Sequence, residues 1–328
     1  MGDATNDPIA ELIKNYNELN SSHITELDEE PSALEFMRFV ARNTPFVVRG
    51  AAANWKATQT WSARFLEDHL ADETVNVAVT PIGKADSPTL HDDGSLIFAK
   101  PWEEDQPFPT FLNYVIQQEK TQSSSLPSEV RYAQTQNDNL RHEYSSLFSH
   151  VQHDIPFARI ALQHPSPDAI NLWIGNSRST TTLHKDNYEN LYVQILGRKH
   201  FVLLPPHCQP CVNEKPLKPA QYHRAADGSG LELRLDEQGE DVPFATWDPD
   251  RPGEETTGYS GLAEPMRVTL EPGDMLYLPA MWYHKVSQSC SDEGICVAVN
   301  YWYDMDFSGP LYPLSTFVRS VNNSRNHR

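Results

Sequence analysis

Thr181-Thr182-Leu183-His184-Lys185-Asp186-Asn187-Tyr188-Glu189-Asn190 is a His-x-Asp pair set between two apolar, strand-like stretches. In an extended chain, residues two apart point to the same side. His184 and Asp186 therefore offer an imidazole and a carboxylate to one interior, where a third ligand from another strand can meet them. The natural third is His284, in Trp282-Tyr283-His284, which follows the turn Glu271-Pro272-Gly273-Asp274 and the strand-like Met275-Leu276-Tyr277-Leu278-Pro279. Two imidazoles and one carboxylate can occupy one face of a metal and leave its other positions open, the ligand set of non-haem Fe(II) oxygenases. A lone His-x-Asp is often a pair of ordinary structural residues, so its weight depends on the surrounding sequence.

Working outward, strand-like runs crowd both flanks: 169–174, 180–184, 188–196 and 199–204, then 266–270, 275–278, 283–287 and 295–303. Leu196-Gly197-Arg198 reads as a tight hairpin turn. Residues 205–264 are rich in proline, glycine and charge and read as a mostly irregular insertion with one strand near 231–235; so long a loop would be unusual without a function. Upstream, the spacing predicts helices over 8–16, 31–41, 61–70 and 108–119, the second turning Leu34, Met37, Val40 and Ala41 to one face. Strands are expected at 45–50, 74–80 and 130–135, with a serine-rich breaker at 121–128. A helix over 313–321 and a polar, frayed tail close the chain. Helices first and closely spaced strands afterwards give an α+β chain whose core is an antiparallel sandwich or barrel. The expected organisation is a helical and strand cover over 1–130, a core over 131–305 that includes the 205–264 insertion, and a C-terminal helix and tail over 306–328.

The 328 residues hold 45 acidic and 26 basic side chains, a formal charge of -19. Such a field repels phosphate backbones and suits basic partners, so nucleic acid, a modified tRNA base included, is not the expected partner. The start Met1 to Asp7 lacks the apolar core of a signal peptide, and no run has the roughly 20 apolar residues of a membrane span. A soluble protein of the cytoplasm, the nucleus or both is expected, in which Asn20-Ser21-Ser22 stays unglycosylated. Four cysteines do not suggest a disulfide scaffold. Cys208-Gln209-Pro210-Cys211 could hold zinc with His207, Cys290 or Cys296, but Cys290 and Cys296 lack the spacing of a second half-site, which favours free thiols.

Three protein ligands leave room on an octahedral metal for a bidentate 2-oxo acid and for dioxygen. The far carboxylate of such an acid needs a cation and hydroxyl or amide donors. Lys199 can supply the charge; Thr181, Asn190, Tyr132 and Asn300 are candidate donors. Taken singly, each of these residues has an ordinary structural reading.

The ordered set Asn171-Leu-Trp-Ile-Gly175, Thr181 to Asn190, Gly197-Arg-Lys-His-Phe201, Leu204-Pro-Pro206, Gly273-Asp-Met-Leu-Tyr-Leu-Pro279, Trp282-Tyr-His284 and Val299-Asn-Tyr-Trp302 resembles the JmjC family of Fe(II)- and 2-oxoglutarate-dependent oxygenases. The resemblance implies a double-stranded β-helix, a jelly-roll or cupin-like barrel with flanking helices. It implies Fe(II) held by His184, Asp186 and His284, with 2-oxoglutarate held by Tyr132, Thr181, Asn190 and Lys199, and by Asn300 as a further member. It also implies an oxygen-consuming dioxygenase that converts 2-oxoglutarate to succinate and carbon dioxide while hydroxylating a substrate C–H. Leu183 to Asp186, Tyr188 to Tyr192 and Asn300 to Met305 are most similar to the small lysyl hydroxylases of the family, whose substrates are translation-associated GTP-binding proteins. For a lysine substrate, Glu189, Asp304 and Asp306 are the acidic residues nearest the metal blocks. Two alternatives share the scaffold: N-methyl-lysine demethylation of histones or other proteins, and a non-catalytic cupin-like binding protein, against which the complete ligand set argues. Relatives also suggest a homodimer built partly from terminal helices.

Overall fold

Both faces of the strand Tyr188–Leu196 are buried, and its alternation sets the architecture. In the computed structural model, which describes residues 7–121 and 129–326, this strand lies inside a six-stranded sheet. The order is Thr25–Leu27, Phe46–Val48, Met275–Leu278, Tyr188–Leu196, Cys296–Asp304, Ala169–Gly175. Only the first two strands run parallel to each other. A four-stranded antiparallel sheet, Met266–Leu270, Arg198–Leu204, Tyr283–Ser289, Thr181–His184, packs against it. Trp173, Tyr192, Phe201, Leu276, Val286 and Ala298 fill the space between the sheets, with Tyr192 meeting Phe201 edge to face at 5.0 Å. Leu172, Leu191, Val193 and Tyr301 face the other way, into a second core closed by Phe36, Leu66, Phe108 and Phe157 from the helices. This is the cupin-like two-sheet barrel with flanking helices.

Gly197 is not the tip of a hairpin. The strands on its two sides belong to different sheets and do not pair with each other, so Gly197 is a corner where the chain crosses between them. Its φ is +68°, and an added Cβ would lie 2.5 Å from the Ser289 carbonyl oxygen. Left-handed backbone costs an L-residue roughly 1–2 kcal/mol before any clash. Gly197→Ala is therefore expected to lose about 3 kcal/mol of stability, read as a lower urea midpoint with an unchanged slope.

The helix Ala33–Arg42 forms behind a capping box of Ser32 and Glu35, but its buried face differs from the one expected. Leu34, Met37 and Ala41 are exposed, and Phe36, Phe39 and Val40 pack inward. The larger rings win the single available contact face: Phe36 meets Tyr277 at 4.8 Å and Phe157 at 5.1 Å.

The 205–264 segment is also more regular than expected. It carries strands at Glu214–Leu217, Pro219–Arg224, Leu231–Leu235 and Val242–Ala245, and short turns of 3-10 helix at Pro206–Cys211 and Ser260–Leu262. Pro219–Arg224 pairs with Leu96–Lys100, far upstream. The strand expected over 130–135 is limited to Val130–Tyr132, followed by a single bridge from Ala133 to Ile174. The last helix runs over Leu311–Asn326 rather than fraying at Val321. Val321 packs on the Cys208 to Val212 cluster, and Arg325 pairs with Asp7 at 2.6 Å. Among the described residues no helix is long and apolar enough to cross a membrane. Residues 1–6, residues 122–128 of the breaker expected over 121–128, and the last two residues lie outside the described residues.

Candidate metal centre

His184 and His284 sit directly opposite each other on paired antiparallel strands, and opposed residues share a face. Their ring centroids are 4.1 Å apart. One extra residue in the His184 strand then shifts the register, so that Thr181 opposes Val286. Asp186 lies just past the strand end, where its carbonyl accepts a 2.7 Å hydrogen bond from the Met281 amide. That contact ties the turn preceding His284 to the turn following His184.

The imidazole protons are held outward. His184 Nδ1 lies 2.8 Å from the Thr182 carbonyl and His284 Nδ1 lies 3.0 Å from the Trp282 carbonyl. A carbonyl can only accept, so each Nδ1 carries the proton and each Nε2 keeps its lone pair, the tautomer a metal requires. Both Nε2 atoms lie 3.6 Å from Asp186 Oδ2. Burial raises the Asp186 carboxyl, but His184 and His284 overcome this and hold it at about 2. Burial and the neighbouring His184 push His284 down to about 4. Burial also opposes charge on His184, but Asp186 and the Thr182 carbonyl outweigh it and raise its pKa. The donor set fits a divalent metal: all three ligand atoms lie within 4.8 Å of one another. Among the described residues, no other group of three or more histidines, cysteines and acids meets that criterion. Cys208 and Cys211 are buried free thiols without a third ligand so placed, and Cys296 is buried near Gln194 instead.

Thr181, Tyr132, Asn190, Lys199 and Asn300 line the same pocket as the three ligands. Lys199 is 2% exposed and its Nζ donates to the Tyr132 hydroxyl at 2.8 Å. Burial raises the Tyr132 pKa more than Lys199 lowers it, so the phenol keeps its proton and can donate onward. Asn300 donates to Asn190 at 3.1 Å and accepts from the Trp173 indole at 2.9 Å. Strand pairing delivers Tyr132, which lies opposite Ala78 on Thr74–Thr80.

The three acids expected to meet a lysine are placed elsewhere. The alternation that aims Asn190 at the pocket turns Glu189 to the back of the sheet, where it accepts from Tyr277 at 2.7 Å and from the Ala280 amide at 3.1 Å. Burial raises its pKa. Asp306 is exposed and accepts from Ser308. Asp304 is exposed at the strand end opposite Tyr188. None of the three lines the pocket. Residues not assigned to the site do line it: Tyr192, Phe201, Val286 and Gln136, with Trp302 as a wall. The first three and Trp302 each follow an expected site residue by two positions, so strand periodicity alone could have found them. Gln136 sits in a turn and has no such signal.

This barrel, with two histidines and a carboxylate converging in its interior, is that of a cupin-type oxygenase. Residues 31–309 match the cupin-like domain family, and the chain belongs to it, within the JmjC oxygenases. It is 38% identical to the "Lysine-specific demethylase JMJ32" of Arabidopsis thaliana, over 95% of this chain and 91% of that protein. It is 36% identical to the human "Bifunctional peptidase and (3S)-lysyl hydroxylase JMJD7", over 86% of this chain and 84% of that protein. The "JmjC domain-containing protein E" of Dictyostelium discoideum is 32% identical over 89% and 87%.

Proposed function

We propose that the protein is an Fe(II)- and 2-oxoglutarate-dependent dioxygenase that hydroxylates a protein side chain, a lysine on a translation-associated GTP-binding protein being the preferred substrate. The observation that carries this reading is one pocket holding three convergent metal donors and a single buried cation, Lys199. His184, Asp186 and His284 would hold the iron. Bound together, iron and 2-oxoglutarate supply the oxidising chemistry, with dioxygen as the oxidant and succinate and carbon dioxide as by-products. The chain's own residues bind, orient and shield. Lys199 and Tyr132 present one charged and one neutral donor to the far carboxylate of the 2-oxo acid. Thr181, Asn190 and Asn300 add polar contacts, while Trp173, Tyr192 and Phe201 keep the inner end dry. Trp302, stacked on Tyr188 at 4.7 Å, stiffens one wall.

The (3S)-lysyl hydroxylase among the relatives supports lysine hydroxylation, and the lysine-specific demethylase, with its slightly higher identity, supports removal of an N-methyl group. Both need the same pocket and a cationic side chain. The deciding experiment incubates the protein with Fe(II), ascorbate and 2-oxoglutarate, together with lysine peptides of GTP-binding proteins or their N-methylated forms. A one-oxygen mass gain on unmodified lysine is the expected result. Methyl loss with formaldehyde release would transfer the assignment to demethylation, and absence of any 2-oxoglutarate consumption would overturn the oxygenase reading.

A further inference from the structure

Gly175 closes the strand Ala169–Gly175. Glycine weakens a strand and commonly marks a close approach of another group. Its φ here is not positive, so the backbone conformation does not call for glycine. Space does. An added Cβ would stand 2.6 Å from Cδ2 and 2.9 Å from Cε2 of Tyr132, and 2.9 Å from Nε2 of Gln288. Gly175 follows Trp173 by two positions and so faces the same side, the space between the two sheets.

None of these atoms is free to step aside. The Ala133 amide donates to the Ile174 carbonyl at 3.0 Å, and the Ile174 amide donates back to the Ala133 carbonyl at 3.1 Å. That double bond pins the residue after Tyr132 to the residue before Gly175. On its other side Tyr132 pairs with Ala78, so its backbone has nowhere to retreat. The ring is buried, with Trp173 at 6.0 Å and its hydroxyl held by the Lys199 ammonium at 2.8 Å. Gln288 lies opposite Lys199 on the paired strand, and its amide nitrogen donates to the Asn176 carbonyl at 2.5 Å.

We infer that Gly175 is a positioning residue for the 2-oxo acid: the Tyr132 ring occupies the room that the missing side chain leaves, and this seats the phenol where it and Lys199 together meet the far carboxylate. The inference rests on the reading of Tyr132 and Lys199 as donors to that carboxylate, and deepens it. A methyl group at 175 drives the ring off the strand and toward the pocket it lines. The hydroxyl then loses its alignment with Lys199, and the end that takes the carboxylate narrows. Gly175 is not among the residues lining the pocket, so it acts through Tyr132 alone.

The test is calorimetry on the full chain loaded with Mn(II). The probes are 2-oxoglutarate and oxalate, which has the chelating end of a 2-oxo acid but no far carboxylate. Gly175→Ala is expected to weaken 2-oxoglutarate binding by about tenfold or more, at least the worth of the Tyr132 donor, and to leave oxalate binding unchanged. In a Tyr132→Val background, which lacks both ring carbons, Gly175→Ala is expected to cost 2-oxoglutarate nothing further, so the two changes are non-additive. An unchanged 2-oxoglutarate affinity in Gly175→Ala, an equal loss for oxalate, or the same loss in the valine background overturns the proposal and leaves the oxygenase reading intact. If Gly175→Ala alone does not fold, the double variant decides. A folded double variant with the affinity of Tyr132→Val supports the proposal, and one that fails to fold where Tyr132→Val folds overturns it. Wild type that binds oxalate but not 2-oxoglutarate sinks the reading of the far-carboxylate site and this inference with it.

Discussion

Asp186→Ala is expected to abolish turnover and to weaken Fe(II) binding by more than ~100-fold, since disturbing only a hydrogen-bond partner of a metal ligand already costs about 10–100-fold. Asp186 is the only anion of the three ligands, and its oxygen stands 3.6 Å from both imidazole nitrogens. Without it two neutral donors remain, too few to hold an exchangeable divalent ion in competition with solvent. The direct readout is the melting temperature with and without Fe(II) under anaerobic conditions. Metal that binds only the native state raises it, and that rise should vanish in the variant. Proton competition provides a second readout. Metal needs a neutral His184, and Asp186 contributes to raising the His184 pKa. Wild-type iron affinity should therefore fall by about tenfold per pH unit once the pH drops below that raised pKa. Loss of the carboxylate lowers the His184 pKa, so any residual binding in the variant should keep its pH independence to lower pH. A variant that retains the iron-dependent rise in melting temperature and its turnover would remove Asp186 from the metal set.

The contrast between what could be read in advance and what could not follows from the range of the interactions. His184 and His284 were legible as strand residues in apolar surroundings, and Asp186 by its spacing from His184, although it lies just past the strand end, where the Met281 amide holds its carbonyl. Lys199, Tyr132 and Asn300 were legible as polar residues on strands whose neighbours had to be buried. Glu189 is one position from Asn190, and in a strand one position is the opposite face; its contacts with Tyr277 and Ala280 depend on a partner strand that the local pattern does not reveal. The Gly197 corner looked like a hairpin because glycine at positive φ serves both. The short strands Ser87–Leu90, Leu96–Lys100 and Pro219–Arg224 carry proline and charge, and they are held by a sheet that joins segments far apart in sequence. Local propensity contains no trace of such pairing.

Lys199→Met should separate binding from stability in opposite directions. Lys199 is the sole lysine or arginine lining the pocket, nearly fully buried, with a phenol rather than a carboxylate as its hydrogen-bond partner. Its ammonium also lies 5.1 Å from the Tyr132 ring centre, a weak substitute for a counter-ion. A buried cation without an anion costs the folded protein several kcal/mol, and methionine has nearly the same length and no charge. The variant should thus melt at the same temperature as wild type or higher when neither metal nor 2-oxoglutarate is present. Its affinity for 2-oxoglutarate, measured by calorimetry on the Mn(II)-loaded protein, should fall by about 100-fold, the worth of a charged hydrogen bond in a dry site. Tyr132→Phe removes a neutral donor and should cost closer to tenfold, because the lysine remains to meet the carboxylate. A lysine kept only for packing would give the reverse: lower stability on its removal and unchanged affinity. Stability given up in the empty protein and recovered when the dicarboxylate arrives is the pattern of a residue retained for its ligand, and Lys199→Met tests that pattern with two measurements that must move apart.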